Sequence, residues 1–195
     1  MKKKILISVL LLFVALILLS NLLGNGWIIY HEGSFKGKVV DAETKEPIKD
    51  AVVVAIYKVE SYAFIESPTS VVDAKEVLTN TKGEFYIPQH IFTFFYPFSK
   101  KDTTWFLIYK PGYSLFDEWN YYEHIPNSPP DASDDMIAEY FKRGVTVELL
   151  KLKTKEERMK NSPGGIGDMG AWKLPKLFKA INEERRELGF TGEVR

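Results

Sequence analysis

An uninterrupted apolar segment near the N-terminus constrains this chain more than any other feature. Residues 5–19 contain no charged side chain and only one polar side chain, Ser8. Lys2, Lys3 and Lys4 come immediately before them. A short basic start followed by an apolar run is typical of a secretory signal or a signal anchor. Because no polar stripe interrupts the run, a helix buried within a domain is disfavoured.

Two outcomes for this segment stay open, a retained anchor and a cleaved signal. A cleavage site needs small residues, a requirement that residues 20–24 meet poorly. Residues 5–23 are close to the ~20 residues that a spanning helix needs. Trp27 and Tyr30 suit a membrane interface, and the lysines are expected to stay cytoplasmic. We therefore predict a signal anchor or signal peptide over residues 1–24. The rest then lies outside the cytoplasm, periplasmic or extracellular, as the exposed part of a single-pass membrane protein.

The remainder of the chain has the composition of a folded domain. Hydrophobic residues make up 45% of the sequence and charged residues 27%, close to globular averages. The 26 basic and 26 acidic residues cancel, and without the three N-terminal lysines 23 basic residues face 26 acidic ones. Because no basic domain is available to neutralise phosphates, we predict no nucleic-acid partner. The absence of cysteine excludes disulfides, thiol catalysis, Cys-ligated zinc and a lipidated cysteine anchor.

Short apolar runs separated by turn residues follow residue 34. Such runs, bounded by Gly, Pro, Asn and Asp, predict an antiparallel sandwich rather than βαβ units. Gly83 is expected to adopt a positive φ in the turn before Phe85, so that the Phe85 ring points into the core. We predict strands at residues 35–40, 51–59, 71–78, 84–87, 105–109 and 145–150.

Two insertions interrupt these strands, an aromatic one at residues 90–104 and a longer one at residues 113–143. Within the second, Ser133 is expected to cap a helix over residues 134–141. Acidic residues begin that helix and basic residues end it, as the helix dipole favours, and Gly144 is well placed as its stop.

The composition becomes strongly charged beyond residue 152. Residues 153–160 predict a short exposed helix, and residues 162–170 a Gly/Pro-rich linker. Residues 177–188 predict a final helix with a narrow apolar face and a charged opposite face. The apolar face comprises Phe178, Ile181 and Leu188.

Several short motifs lie in the predicted strands and turns. They are Gly37-Lys38-Val39-Val40-Asp41, Thr44, Pro47-Ile48, Ala51-Val52-Val53, Thr79-Asn80-Thr81-Lys82-Gly83-Glu84-Phe85, Ile87-Pro88 and Tyr109-Lys110-Pro111-Gly112-Tyr113. This set resembles the carboxypeptidase regulatory-like domain, a transthyretin-like (prealbumin-like) sandwich, over residues of about 35–152 with insertions. The resemblance implies a mainly β, Greek-key antiparallel β-sandwich at residues 34–152. The two insertions and the predicted linker and C-terminal helix at residues 153–195 depart from the family pattern, so the resemblance implies nothing about them. It implies an accessory module without catalytic residues.

The three histidines offer little support for metal or acid–base chemistry. His31, His90 and His124 are far apart in sequence, and none belongs to an H-E-x-x-H motif. We expect them to lie apart in the fold. His124 follows Glu123 and could bind a metal, but a solvated loop histidine is the expected outcome.

Other familiar catalytic or ligand motifs are also weak. No G-x-S-x-G elbow occurs in the sequence. Asp131, Asp134 and Asp135 could bind calcium through hard oxygens, but they lack the EF-hand spacing, and helix capping is the expected role. The glycines at residues 164–167 follow no predicted strand and suit a linker. We predict no catalytic residue, no metal and no cofactor.

Aromatic residues are the best candidates for recognition. Trp119, Tyr121 and Tyr122 lie close together with hydrogen-bonding neighbours. Such rings stack on sugars or receive peptide side chains, or they form a small satellite core under a loop. The aromatic run at residues 92–98 is expected to pack on the sandwich or on a membrane surface.

Three functional hypotheses follow. The first is a non-enzymatic, exported and membrane-anchored binding or scaffolding module of the cell envelope, with a protein partner. The second is a carbohydrate-binding module that uses the loop around Trp119. The third is an unrecognised hydrolase, which would need a histidine within hydrogen-bond reach of a carboxylate.

Overall fold

The computed structural model describes residues 2–22, 29–61, 69–93, 99–117, 120–161, 163 and 173–194. Helices and strands alternate irregularly along these residues. In chain order they are α1 (Lys2–Leu22), β1 (Ile29–Glu32), β2 (Phe35–Asp41), β3 (Val52–Ser61), β4 (Thr69–Leu78), β5 (Glu84–Ile87), β6 (His90–Thr93), β7 (Ser99–Lys101), β8 (Trp105–Tyr109), α2 (Tyr121–His124), α3 (Asp134–Arg143), β9 (Val145–Leu149), α4 (Lys155–Lys160) and α5 (Pro175–Glu187). The chain is therefore mixed α/β and rich in strands.

The chain forms two compact units, and β3 and β4 contribute residues to both. Unit 1 comprises Met1–Gly33, Lys58–Val72 and Gln89–Asp102. Unit 2 comprises Ser34–Tyr57, Asp73–Pro88 and Thr103–Arg195.

Helix α1 confirms that the N-terminal apolar segment is helical. Its sequence is apolar around the whole circumference, and large side chains such as Leu11 are exposed. Among the described residues, no helix combines the length and the apolar character needed to cross a membrane. The predicted spanning helix therefore stays a prediction.

Unit 1 contains a two-stranded antiparallel ribbon formed by β1 and β6. The Tyr30 and Phe92 rings stack with their centroids 5.3 Å apart, and the Tyr30 hydroxyl lies 2.7 Å from Ser99 Oγ. At the end of β3, the buried Lys58 Nζ lies 3.6 Å from Asp102 Oδ2. The core of this unit thus contains paired polar groups as well as aromatic rings.

Unit 2 contains a three-stranded sheet in the order β5-β2-β9. Strand β5 is antiparallel to β2, whereas β9 is parallel to it, with Gly37 opposite Val145. The prediction of an all-antiparallel arrangement is therefore wrong for this pair. Parallel neighbours need a long crossover, and the insertion at residues 113–143 supplies part of it through α3, which contacts both β2 and β9.

Two glycines allow this sheet to pack tightly. A Cβ on Gly37 would lie 2.5 Å from the Val145 carbonyl oxygen and 2.7 Å from the Phe85 ring. Gly83 has a φ of +74°, and a Cβ there would lie 2.4 Å from the Val39 carbonyl oxygen. The predicted positive φ at Gly83 and the buried Phe85 ring are both confirmed.

Aromatic rings fill the core on the inner face of this sheet. Phe35 of β2 meets Phe106 of β8 edge to face at 4.8 Å, and Phe106 stacks on Phe141 of α3 at 3.7 Å. Ser133 caps α3 by accepting a hydrogen bond from the Met136 backbone N–H, as predicted. The capped helix thereby places Phe141 in the aromatic core.

Helix α5 packs against the other face of β3 and β8. Leu177 and Phe178 are buried in one cluster with Val52 and Val54. The apolar face of α5 is wider than predicted, because residues 177 and 180 are buried in addition to Phe178, Ile181 and Leu188. The C-terminal helix is thus part of a hydrophobic core.

Candidate binding groove

The outer face of the β5-β2-β9 sheet carries a wide depression. Lys36 and Lys38 lie on either side of Gly37 in β2, so they point away from the core that contains Phe35 and Val39. Across the sheet, Lys36 lies opposite Tyr86 of β5. We call this depression the lysine groove. Its lining residues are Lys36, Gly37, Lys38, Leu78, Asn80, Glu84, Phe85, Tyr86, Gly144, Val145 and Thr146.

The lysine groove is open to solvent and encloses about 700 Å3. This volume is within the usual range for ligand pockets. Polar and apolar groups are mixed, because the exposed Tyr86 ring and Leu78 side chain border charged groups. The groove therefore suits an extended polar ligand better than a compact apolar one.

Neither Lys36 nor Lys38 forms an ion pair within the described residues, whereas Lys45 pairs with Glu148 and Lys101 with Glu32. The groove also contains a carboxylate, because the strand register places Glu84 opposite Lys38. Cations without an ion-pair partner in a concave surface attract anionic ligands and raise their association rate.

A turn organised by Asn80 forms one rim. Asn80 Oδ1 accepts hydrogen bonds from the backbone N–H groups of Lys82 and Glu84, at 2.8 and 3.0 Å. Asn80 Nδ2 donates to Glu84 Oε2 at 3.1 Å. This rim carboxylate is therefore held by the turn, and it forms no ion pair with Lys38, which lies opposite it in the strand register.

A second depression of about 360 Å3 adjoins the groove through the shared residues 144–146. It is lined in part by Tyr140 and Arg143 at the end of α3. The Arg143 side chain is 80% exposed and only loosely paired with Glu139, at 3.8 Å. Three cationic side chains thus border the neighbouring depressions near the start of β9.

The aromatic candidates differ in their surroundings. Tyr121 is partly buried and donates a hydrogen bond to the Ala132 carbonyl oxygen. Tyr122 is 46% exposed, its ring is perpendicular to that of Tyr121, and a hydrogen bond to Glu123 raises its pKa. Trp119 lies outside the described residues. A role for these residues in recognition stays a prediction.

His124 is not the solvated loop histidine that the sequence predicts. It ends the short helix α2 and is 5% exposed. Its Nδ1 lies 2.7 Å from the Glu148 carbonyl oxygen, and its ring packs edge-on against Phe116. The packing of α2 against β9 buries this histidine, and both interactions are structural.

The other two histidines lie on the paired strands β1 and β6, but the register places their side chains on opposite faces of the ribbon. His31 belongs to β1 and His90 to β6, and the register places His90 directly opposite Glu32. Glu32 accepts hydrogen bonds from Lys101 Nζ at 3.1 Å and from the Gly33 backbone N–H at 3.1 Å. Its buried carboxylate is therefore paired with an exposed lysine.

The acidic residues in the first turn of α3 accept hydrogen bonds from neighbouring side chains. Asp134 accepts a hydrogen bond from Trp105 Nε1 at 3.1 Å, and Asp135 accepts one from the Thr103 hydroxyl. Within the described ranges, no group of three or more His, Asp or Glu side chains could hold a metal ion.

The groove residues were within reach of sequence reasoning. The alternation at residues 35–40 already implies that Lys36 and Lys38 share the outer face of their strand.

Comparison with known proteins finds no family model, no curated protein and no solved structure that matches this chain.

Proposed function

We propose that this protein is a membrane-attached binding or scaffolding module of the cell envelope that captures an acidic segment of a partner protein in the lysine groove. The observation that carries the proposal is the pair Lys36 and Lys38, which face a depression of about 700 Å3 and have no ion-pair partner among the described residues. An acidic, extended segment complements both the charge and the open shape of this surface.

The membrane attachment is supported by α1. Its large apolar side chains are exposed on every side, an arrangement that is costly in water and favourable in lipid. In this proposal Lys2, Lys3 and Lys4 at its start remain cytoplasmic and unit 2 lies on the other side of the membrane. Fractionation is expected to leave the full chain in the membrane pellet after a carbonate wash, and recovery in the wash would contradict the proposal.

We further propose that unit 2 is a transthyretin-like β-sandwich modified by the parallel β9 strand. Support comes from Phe35 and Phe106, which bring side chains of two sheets into contact at 4.8 Å. An experimental structure in which β2 and β8 share one sheet would contradict this description.

Groove binding is tested with the full-length protein in detergent and two fluorescent decapeptides, one rich in Asp and Glu and the other its Asn and Gln analogue. Fluorescence anisotropy should show that the acidic peptide binds and the neutral peptide does not. Binding should weaken with added salt, because exposed charges are screened. The double variant Lys36→Glu/Lys38→Glu should bind the acidic peptide about tenfold less tightly, since each exposed charge contributes roughly 0.5–1 kcal/mol.

A matched control separates the groove from net charge. Lys75 and Lys155 are exposed and lie outside the groove lining, so Lys75→Glu/Lys155→Glu changes the net charge equally. This control should retain wild-type affinity. Equal weakening in both double variants, or equal binding of the two peptides, would refute the groove as the binding site.

The exposed Tyr122 ring favours carbohydrate binding as a second candidate. The Tyr122 ring is 46% exposed and lies beside the carboxylate of Glu123. Such a ring can stack on a sugar while the carboxylate accepts hydrogen bonds from its hydroxyl groups. A glycan array probed with wild type and Tyr122→Ala tests this, and loss of a reproducible glycan signal in the variant would support it. Wild-type protein that binds no glycan would exclude it.

A further inference from the structure

The ribbon formed by β1 and β6 in unit 1 has two dissimilar faces. Tyr30, Glu32 and Phe92 are buried on the inner face. On the outer face, Ile29 is 43% exposed and Ile91 is 56% exposed. Because Ile29 lies opposite Thr93 and Ile91 lies opposite His31, the two isoleucines are diagonal neighbours on that same face.

The charges of the ribbon are directed away from its outer face. Its only acidic residue, Glu32, is 6% exposed on the inner face and is paired with Lys101. The outer face consists of Ile29, His31, Ile91 and Thr93. Contact with lipid headgroups would therefore bury apolar area without removing a carboxylate from water.

Chain length places the ribbon close to the end of α1. Helix α1 ends at Leu22 and β1 begins at Ile29. Seven residue steps span at most about 25 Å when fully extended. An α1 helix held in a bilayer would therefore keep the ribbon near the membrane surface.

We infer that the outer face of this ribbon rests on the lipid surface next to α1. The inference depends on the proposed membrane attachment through α1 and adds a second contact to it. Two exposed isoleucines bind a membrane only weakly by themselves. The short connection to α1 makes the contact effectively intramolecular, however, and such tethering raises the local concentration to the millimolar range.

Because the chain contains no cysteine, single-cysteine variants can carry a fluorescent label at one chosen position. The variants are Ile91→Cys and His31→Cys on the ribbon, Leu11→Cys on α1 and Lys155→Cys as an exposed control in unit 2. Each full-length protein is labelled with NBD and reconstituted into phosphatidylcholine vesicles with and without nitroxide-labelled lipid. We expect severalfold stronger quenching at residues 11, 31 and 91 than at residue 155, and a blue-shifted emission at residues 11 and 91.

The pattern of quenching separates the two proposals. If the label at residue 11 is quenched but the labels at residues 31 and 91 behave like the control, the ribbon contact is refuted and the attachment through α1 stands. If the label at residue 11 is not quenched, the attachment through α1 fails. In that case the ribbon contact, which depends on that attachment, is refuted as well, whatever the ribbon labels report.

Discussion

Helices α1 and α5 show opposite relationships between apolar content and burial. Helix α1 is almost entirely apolar after its lysines, yet Leu11 is 64% exposed. Helix α5 carries many charged residues, yet Leu177 is completely buried. A helix packs on a protein core through one apolar stripe, and α5 has such a stripe. Helix α1 is apolar on all sides, and its described side chains other than Ile17 remain exposed to the surroundings.

Burial of α5 also depends on two carboxylates whose oxygens accept hydrogen bonds from neighbouring groups. Glu184 is buried and receives two hydrogen bonds from Arg158, at 2.7 and 2.6 Å. Glu76 of β4 accepts hydrogen bonds from the backbone N–H groups of Lys176 and Leu177 in the first turn of α5. The comparison teaches that the pattern and pairing of side chains, more than total hydrophobicity, place a helix in a core.

The largest effect is expected for Leu177→Ala. This side chain is fully buried among β3 and β8 residues, and its truncation leaves a cavity that typically costs about 2–5 kcal/mol. Denaturant unfolding of the full-length protein in detergent, followed by circular dichroism, measures the free energy of unfolding. A loss smaller than about 1 kcal/mol would show that α5 does not depend on this stripe for its packing.

A smaller effect is expected for Glu184→Gln. The substitution preserves shape but removes the charge that pairs with Arg158, and these hydrogen bonds raise the Arg158 pKa above its ordinary value. Loss of a charge-assisted pair at a partly buried site should cost about 1–3 kcal/mol.

The control for the Glu184 variant is Glu187→Gln, because Glu187 also contacts Arg158 but its side chain is 63% exposed. The control should cost less than about 1 kcal/mol. Equal losses in the two variants would show that burial of Glu184 adds nothing to the pair.

Removal of the cap on α5 by Glu76→Gln should cost about 1 kcal/mol. The charged carboxylate complements the positive end of the helix dipole and satisfies two orphan backbone N–H groups. Hydrogen exchange should report faster exchange at the first turn of α5, with little change in β2. Unchanged exchange at residues 176 and 177 would contradict this role.

The smallest effect is expected for Leu11→Ala, which repeats the leucine truncation on α1. Because Leu11 is exposed rather than packed in a protein core, its truncation should change the unfolding free energy by less than about 0.5 kcal/mol. The same denaturation measurement in detergent compares it directly with the Leu177 variant. A loss of unfolding free energy as large as that of Leu177→Ala would show that Leu11 is packed in a core as Leu177 is, which would contradict the difference between the two helices.

Local patterns predicted much of the secondary structure correctly. The alternation at residues 35–40 and 145–150 and the β-branched run at residues 51–59 coincide with β2, β9 and β3. Ser133 and Gly144 delimit α3 as predicted, because capping chemistry is encoded within one turn of sequence. Such signals need no knowledge of distant residues.

Elements that depend on distant partners were not predicted. Strands β1, β6 and β7 are three or four residues long and contain His, Glu, Ser and Lys, so they lack a strand signature of their own. Their hydrogen-bonded neighbours provide the reason for their conformation. The burial of His124 likewise depends on contacts with Glu148 and Phe116. No local sequence pattern links these two residues to His124.

The lysine groove depends both on a local sequence pattern and on contacts between residues that are distant in the sequence. The outward direction of Lys36 and Lys38 follows from strand periodicity. The finding that neither forms an ion pair within the described residues, and the nearby position of Arg143, follow from the folded chain. The aromatic candidates were chosen from sequence clustering alone, and packing now distinguishes the hydrogen-bonded Tyr121 from the exposed Tyr122.

The sequence by itself determined the helices and strands that carry a local signal, such as α3, β2, β3 and β9, because capping, β-branching and alternation act over a few residues. It also determined that residues 5–19 have no polar face. Tertiary structure alone decided that β9 runs parallel to β2 and that α5 enters a core. Those outcomes depend on which of many apolar surfaces meet, and that choice is made by the packing energy of residues far apart in the chain.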